Sequence, residues 1–219
     1  MAMHESLQRR TLLYALLARL YTYPLDERLM EALAALRLDE APAELEEALG
    51  QMQEVAASFT PAEIEVLRVE ATRLFDGPGK PMAPPYASFY LHGRLMGPPA
   101  ASAYRFYLAH SALPNSDGRV APDHLALELG FLRYLAARAE RAATKGRSDE
   151  VEESLRASRK FVEGHLLTWI DRFAEDVVRG ANSAFFVGLA RFTLATLEWD
   201  RRWLEALETE HIHMEGVHR

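Results

Sequence analysis

A chain of 219 residues, 49% of them hydrophobic, can bury a core of ordinary density in one domain. Its 32 Asp and Glu against 25 Lys and Arg leave a net charge of −7, which disfavours nucleic-acid phosphates and anionic lipid as default partners and suits a basic or apolar one. With no cysteine there can be no disulfide, thiol nucleophile or thiolate-bound zinc or iron–sulfur centre, and a reducing, cytoplasmic setting is expected.

The N-terminal run contains Arg9, Arg10 and Arg19 and lacks the apolar core and cleavage site of a secretion signal, and no stretch of about 18 apolar residues is free of charge. From Leu7 to Tyr21, Leu12, Leu13, Leu16, Leu17 and Leu20 recur at three- and four-residue steps, which predicts a helix ended by Tyr23-Pro24. Asp26 is placed to cap a short second helix carrying Leu29, Met30, Leu33 and Leu36, and Pro42 stands at the start of a third. Thr60-Pro61-Ala62-Glu63 is a capping box with proline at the first helical position, so a fourth helix is expected from Pro61 to Phe75.

Asp76 to Pro85 holds too many helix breakers to be helical and delivers the chain to Tyr86 in a stiff, extended form. Short helices are expected over Ser88–Met96 and from Pro98 through Tyr104, Phe106 and Tyr107, and residues 113–121 read as a linker or hinge. Three longer helical segments follow, at Pro122–Lys145, Ser148–Arg179 with an irregularity at Gly164, and Ala181–Leu207. The last is apolar almost all round, so it should run through the centre, where a buried Arg191 would need a partner. Trp199 and Trp203 should share a face, and residues 208–219 read as a flexible tail. The expected fold is all-α, a single-domain bundle of about ten helices over residues 1–207, without strands or solenoid repeats.

Chemistry-bearing residues concentrate in two places. Asp123, His124 and Glu128 lie at the start of a helix whose Leu125, Leu127, Leu129, Phe131, Leu132 and Leu135 leave little surface for solvent. An acid in a first turn and a His–Glu pair four apart are ordinary helix features, but on so apolar a helix they point to a groove or a buried network. Tyr86 directly after Pro84-Pro85, with Phe89 and Tyr90, supplies rigid aromatic contact area. A metal site from His124, Glu128 and His165 lacks ligand spacing, Gly77-Pro78-Gly79-Lys80 is not a phosphate loop, and His211, His213 and His218 belong to the tail. No cofactor or metal is expected.

Those residues resemble the TorD/DmsD/NarJ superfamily of redox-enzyme maturation proteins. The resemblance rests on Glu70 with Arg73-Leu74-Phe75 before Gly77-Pro78, on Pro85-Tyr86 with Ser88 and Tyr90, on Pro122-Asp123-His124 with Glu128-Leu129, and on His165-Leu166 with Trp169 and Phe185-Phe186. Ala71, where the family often has Tyr, and Gly130, where a larger or acidic residue is common, depart from its pattern. The resemblance implies a TorD-like helical fold and a non-enzymatic cytoplasmic chaperone. Such a chaperone binds the N-terminal leader, often a twin-arginine signal peptide, of an apo-molybdoenzyme related to dimethyl sulfoxide reductase and holds it until cofactor insertion. It places peptide binding on Tyr86, Ser88, Tyr90, Pro122, Asp123, His124 and Glu128. Physical complementarity adds Leu91 and Leu127 for the apolar stretch, assigns Asp123 and Glu128 to the arginines, and has His124 order Asp123. The partner is thus the apo-enzyme's catalytic subunit, with neither nucleic acid nor membrane insertion, and the chaperone a monomer or a domain-swapped dimer. The alternatives are a helical adaptor for a non-exported enzyme N-terminus and an acid–base or metal hydrolase using Asp123, His124 and Glu128.

Overall fold

A computed structural model describes the backbone of residues 3–22, 24–38, 41–77, 79–114 and 120–217, and side chains as far as Leu207. The helices are α1 (Met3–Leu20), α2 (Glu27–Ala35), α3 (Ala43–Ala56), α4 (Pro61–Ala71), α5 (Ala87–His92), α6 (Pro98–Ala109), α7 (Leu125–Thr144), α8 (Ser148–Gly164), α9 (Ile170–Gly180) and α10 (Ala184–Val217). Among the described residues there is no strand, only one antiparallel bridge between Tyr86 and His124, and no helix is long and apolar enough to cross a membrane. Most of the expected hinge, residues 115–119, lies outside the described residues, as do Tyr23 and the chain's last two residues.

Local chemistry starts the helices where the sequence placed them. The Asp26 carboxylate accepts the Leu29 amide at 2.8 Å, and Thr60 and Glu63 cap each other's amides ahead of α4. The α4 helix widens into a single π turn over Thr72–Asp76 before the proline-rich loop. The segment expected as one helix from Ser148 to Arg179 is instead α8, a 3₁₀ turn at Leu166–Thr168 and α9. Its break follows Gly164, where His165 leaves helical geometry to bond inward.

The α1 helix packs along α7, and α10 packs against α3. Gly188 lies at that second contact: a Cβ there would meet Met52 Cγ at 3.0 Å and the Ala48 carbonyl at 3.2 Å, so a larger residue would have to push its neighbours by a few tenths of an ångström. Phe185, Phe186, Leu189, Phe192 and Leu197 make α10 central, as its pattern predicted. Arg191 is exposed, however, and donates to Gln51 Oε1 at 3.2 Å. The arginine that is buried is Arg10: its guanidinium grips Asp200 at 2.5 and 3.1 Å, Tyr14 donates to the same carboxylate at 2.5 Å, and the Trp203 ring lies 5.2 Å away. Trp199 and Trp203 stack as their spacing required. Beyond Leu207, where the sequence suggested an unpacked tail, the α10 backbone stays helical to Val217, since nothing before Gly216 interrupts it.

Candidate functional site

Pro84 and Pro85 are buried and hold Tyr86 in an extended conformation, φ −131° and ψ 126°. Two backbone bonds then join this strand-like corner to the start of α7: Leu125 N–H donates to the Pro85 carbonyl at 2.9 Å, and Ala87 N–H to that of Asp123 at 3.1 Å. The Tyr86 ring meets the His124 imidazole edge-on, with centroids 4.9 Å apart.

Asp123 completes the joint. Its carboxylate is fully buried and accepts the Ser88 amide at 2.7 Å, so it caps α5. The sequence suggested that Asp123 serves the helix it precedes; instead His124 is the N-cap of α7, accepting the Ala126 amide at Nδ1, and Asp123 serves a helix 35 residues away. A six-residue helix has no stability of its own, so α5 depends on this borrowed cap and on packing.

One turn into α7, Glu128 is also fully buried and lies 2.5 Å from His165 Nε2, while His165 stacks on Phe161. Burial raises the Glu128 pKa despite His165's opposing charge. Burial alone would lower His165, but the Glu128 charge and hydrogen bond outweigh it and hold the imidazole above its ordinary value. Beside the pair, Trp169 stacks on Tyr90 with centroids 5.7 Å apart, and Tyr107 donates to the Pro122 carbonyl at 2.7 Å. The elements carrying Tyr90, Pro122 and Glu128 are thus fastened through one aromatic layer.

The structure brings Tyr86, Ser88, Pro122, Asp123 and His124 together at the α5–α7 joint, with Glu128 beneath the surface and Tyr90 on Trp169. It does not leave Asp123 and Glu128 open to an incoming arginine. Both are buried, and one oxygen of each carboxylate is bonded internally, Asp123 Oδ2 by the Ser88 amide and Glu128 Oε1 by His165. Ser88 is buried as well, and contributes through its amide. His124 does not order Asp123; burial pushes its pKa down to about 4, so it is neutral near pH 7 and acts as an acceptor for the helix start. The hydrolase constellation is therefore not assembled, since Asp123, His124 and Glu128 each face a different partner. No cluster of three metal-ligating side chains exists among the described residues. What remains partly accessible is Tyr86, Tyr90, Leu91, Pro122, His124 and Leu127.

Two further features escaped the sequence reading. Glu70 is buried, and its Oε1 accepts the amides of Asn182 and Ser183 at 2.5 and 3.0 Å, while Arg73 donates to the Gly180 carbonyl at 2.7 Å. The Glu70/Arg73 motif thus closes the α9–α10 turn from more than 100 residues away, and no local pattern announces that. The second is a pair of acids beside the tyrosines: Asp76 acts on the Tyr86 phenol and Asp176 on that of Tyr90, each adding to the upward push of burial.

This scaffold has known counterparts. A family described as "Nitrate reductase delta subunit" matches residues 38–175. The chain belongs to this family. It is 32% identical to the "Chaperone protein TorD" of Vibrio cholerae over 167 residues, 76% of this chain and 72% of that one. Over a shorter stretch, 69 residues or 32% of this chain and 35% of the other, it is 39% identical to the "Selenate reductase assembly chaperone protein" of Thauera selenatis. Among solved structures, a putative redox enzyme maturation protein from Archaeoglobus fulgidus aligns over 94% of this chain and 95% of its own, with 24% identity and a TM-score of 0.48. The family match and the Vibrio and Thauera relatives place the chain in the TorD/NarJ-like maturation chaperone family.

Proposed function

We propose that this protein is a maturation chaperone that binds the N-terminal leader of an apo-molybdoenzyme of the dimethyl sulfoxide reductase family and holds it in the cytoplasm until cofactor insertion and assembly are complete. The observation that carries the reading is the 32% identity to a TorD chaperone across 76% of this chain, a span wide enough to include the α5–α7 joint.

In this reading the joint is a rigid platform. Buried Asp123 and Glu128 fix it from within, and Tyr86, Tyr90, His124 and Leu127 offer its surface, which keeps the entropy lost on binding low. The arginine pair of a leader would be received by the acids beside the tyrosines, Asp76 and Asp176, through charge-assisted hydrogen bonds. Asp176 also pairs with exposed Arg179 at 2.7 Å, a contact that a leader arginine can replace at little cost because such surface pairs are weak. Neutral His124 suits this surface, since a protonated imidazole would repel a basic ligand.

The test is a fluorescence-anisotropy titration of the full chain with the leader of a co-encoded molybdoenzyme, repeated with the arginine pair changed to lysine and with Asp76→Asn/Asp176→Asn protein. Micromolar or tighter binding, weakened about tenfold by either change, is expected. Absence of binding to any form of the leader overturns the reading. A second form of the same function is one in which the client is a nitrate-reductase-like enzyme whose N-terminus is not exported and carries no arginine pair. Binding indifferent to the lysine substitutions would select it.

A further inference from the structure

The outer surface of α6 does not look like the outside of a helix. Ala100, Ala103 and Tyr107 bury one face, yet Tyr104 and Leu108, four residues apart on another, are 44% and 49% exposed, and Pro98 and Ala101 are exposed with them. A surface helix ordinarily sets polar residues there. The turn that joins α5 to α6 continues the apolar surface. Leu91, Leu95 and Met96 are 37%, 53% and 56% exposed, so five of the twelve exposed large hydrophobics among the described residues fall within Leu91–Leu108. Met96 is held in the left-handed region at φ 69° between Gly93 at φ 70° and Gly97 at φ 99°, a conformation that a side-chain-bearing residue rarely adopts.

Charge sets this surface apart from the rest of the molecule. Residues 77–114 contain Lys80, Arg94 and Arg105 and no Asp or Glu, in a chain whose net charge is −7, so the remainder carries −10. A segment with a basic start and an apolar continuation can lie across such a molecule in only one favourable direction. Its cationic end is repelled by Arg94 and Arg105 and attracted toward Asp76 and Asp176, which act on Tyr86 and Tyr90, while its apolar part is free to cover Leu95, Tyr104 and Leu108.

We propose that the exposed apolar face of α5–α6, built from Leu91, Leu95, Met96, Tyr104 and Leu108, seats the apolar stretch of the client leader, and that Arg94 and Arg105 fix the leader's direction by excluding its basic start. The inference rests on the leader-binding reading and deepens it. Continuity supports the choice of occupant: α5 carries Tyr90 on Trp169 and ends in exposed Leu91, so one short helix links the aromatic platform to this face. A second copy of the chain fits less well, because a two-fold contact would bring together two copies of the same acid-free, basic segment.

The experiment uses two fluorescein-labelled peptides, the full leader of a co-encoded molybdoenzyme and a version truncated before its apolar stretch, titrated against the wild-type chain and the Leu95→Ser/Tyr104→Ser/Leu108→Ser variant. All three positions are exposed, so circular dichroism and the melting temperature should match the wild type. The variant should bind the full leader at least tenfold more weakly and the truncated one unchanged. Equal affinity of both proteins for the full leader overturns the inference and leaves the leader reading standing; a wild-type chain that binds neither peptide overturns both.

Because the chain has no cysteine, Tyr104→Cys labelled with benzophenone maleimide reports direction. Crosslinks should fall in the apolar half of the leader and lose that preference in an Arg94→Glu/Arg105→Glu background. Crosslinks to the basic half overturn the proposed direction. A variant whose only changes are loss of self-association or of binding to anionic vesicles assigns the face to a second copy or to lipid and overturns the proposal.

Discussion

Two buried charge pairs in this molecule solve the same problem differently. Arg10 and Asp200 join α1 to α10 through two hydrogen bonds, with Tyr14 adding a third to the carboxylate. Glu128 and His165 join α7 to the break after α8 through one bond, and either partner can carry the proton. The first pair has an arginine that never titrates, so it is a fixed rivet between the two terminal helices. The second is tunable and lies under the candidate binding surface. The pH-sensitive imidazoles of His124 and His165 are gathered at the candidate site, whereas the rivet contains no imidazole.

The largest effect should come from breaking the rivet. Asp200→Ala leaves the Arg10 guanidinium buried and unpaired and should cost about 3–5 kcal/mol in urea denaturation, whereas Arg10→Met/Asp200→Leu should recover most of that. A double variant as unstable as the single one would show that the packing of α1 on α10, not the charge, is what matters.

Next comes the acid side of the site. His124 titrates near pH 4 when folded and near 6.5 when unfolded, so its contribution is fully present above pH 6.5 and is lost as pH falls through 4. The loss amounts to at most about 3 kcal/mol for a shift of this size. His124→Asn keeps an N-cap acceptor without a titrating group, and chemical denaturation between pH 7 and 4 should show a flatter profile for it than for the wild type.

His165 has the opposite sign. Its folded pKa is raised, so its contribution is present below pH 6.5 and lost as pH rises through the raised value. Glu128→Gln removes the larger of the two charges that raise it, and burial should then outweigh the remaining pull of Asp123 and lower the imidazole pKa. An NMR titration should place the His165 ring above 6.5 in the wild type and below 6.5 in the variant, with a stability cost of about 1–2 kcal/mol that is greatest below pH 6.5. At the far end of the scale, Arg156→Ala removes an exposed pair with Glu152 on α8 and should change stability by less than about 0.5 kcal/mol. A larger value would blur the line between buried and surface charges on which the comparison depends.

The fold was largely legible because its signals are local. The Thr60–Glu63 box, the Asp26 cap and the Trp199–Trp203 spacing each depend on neighbours within four residues and form as read. The stripe of α1, by contrast, is shifted, with Leu7, Leu13, Tyr14, Leu17 and Leu20 buried and Leu12 48% exposed. The candidate site was legible as a set of residues and not as a set of roles. Asp123 serves α5 and Glu70 serves the start of α10, across 35 and 112 residues, and a sequence gives a carboxylate's position without saying which amide it will meet. The same limit applies to Arg10: one basic residue in an amphipathic helix reads as surface, and only the packing of α10 brings Asp200 to it. The acid-free stretch from 77 to 114 needed no structure to be seen, but its meaning depended on which of its side chains face outward.

The cap that Asp123 lends to α5 also orders events in time. A helix of six residues cannot hold itself together, and the residue that closes its first turn arrives 35 positions later in the chain, on a segment that must itself be docked. The surface offered by α5 therefore depends on the start of α7 having docked. An incomplete or partly unfolded copy would have the tyrosines and leucines of that surface but not their arrangement, so the proposed leader binding would be conditional on the protein having finished its own folding.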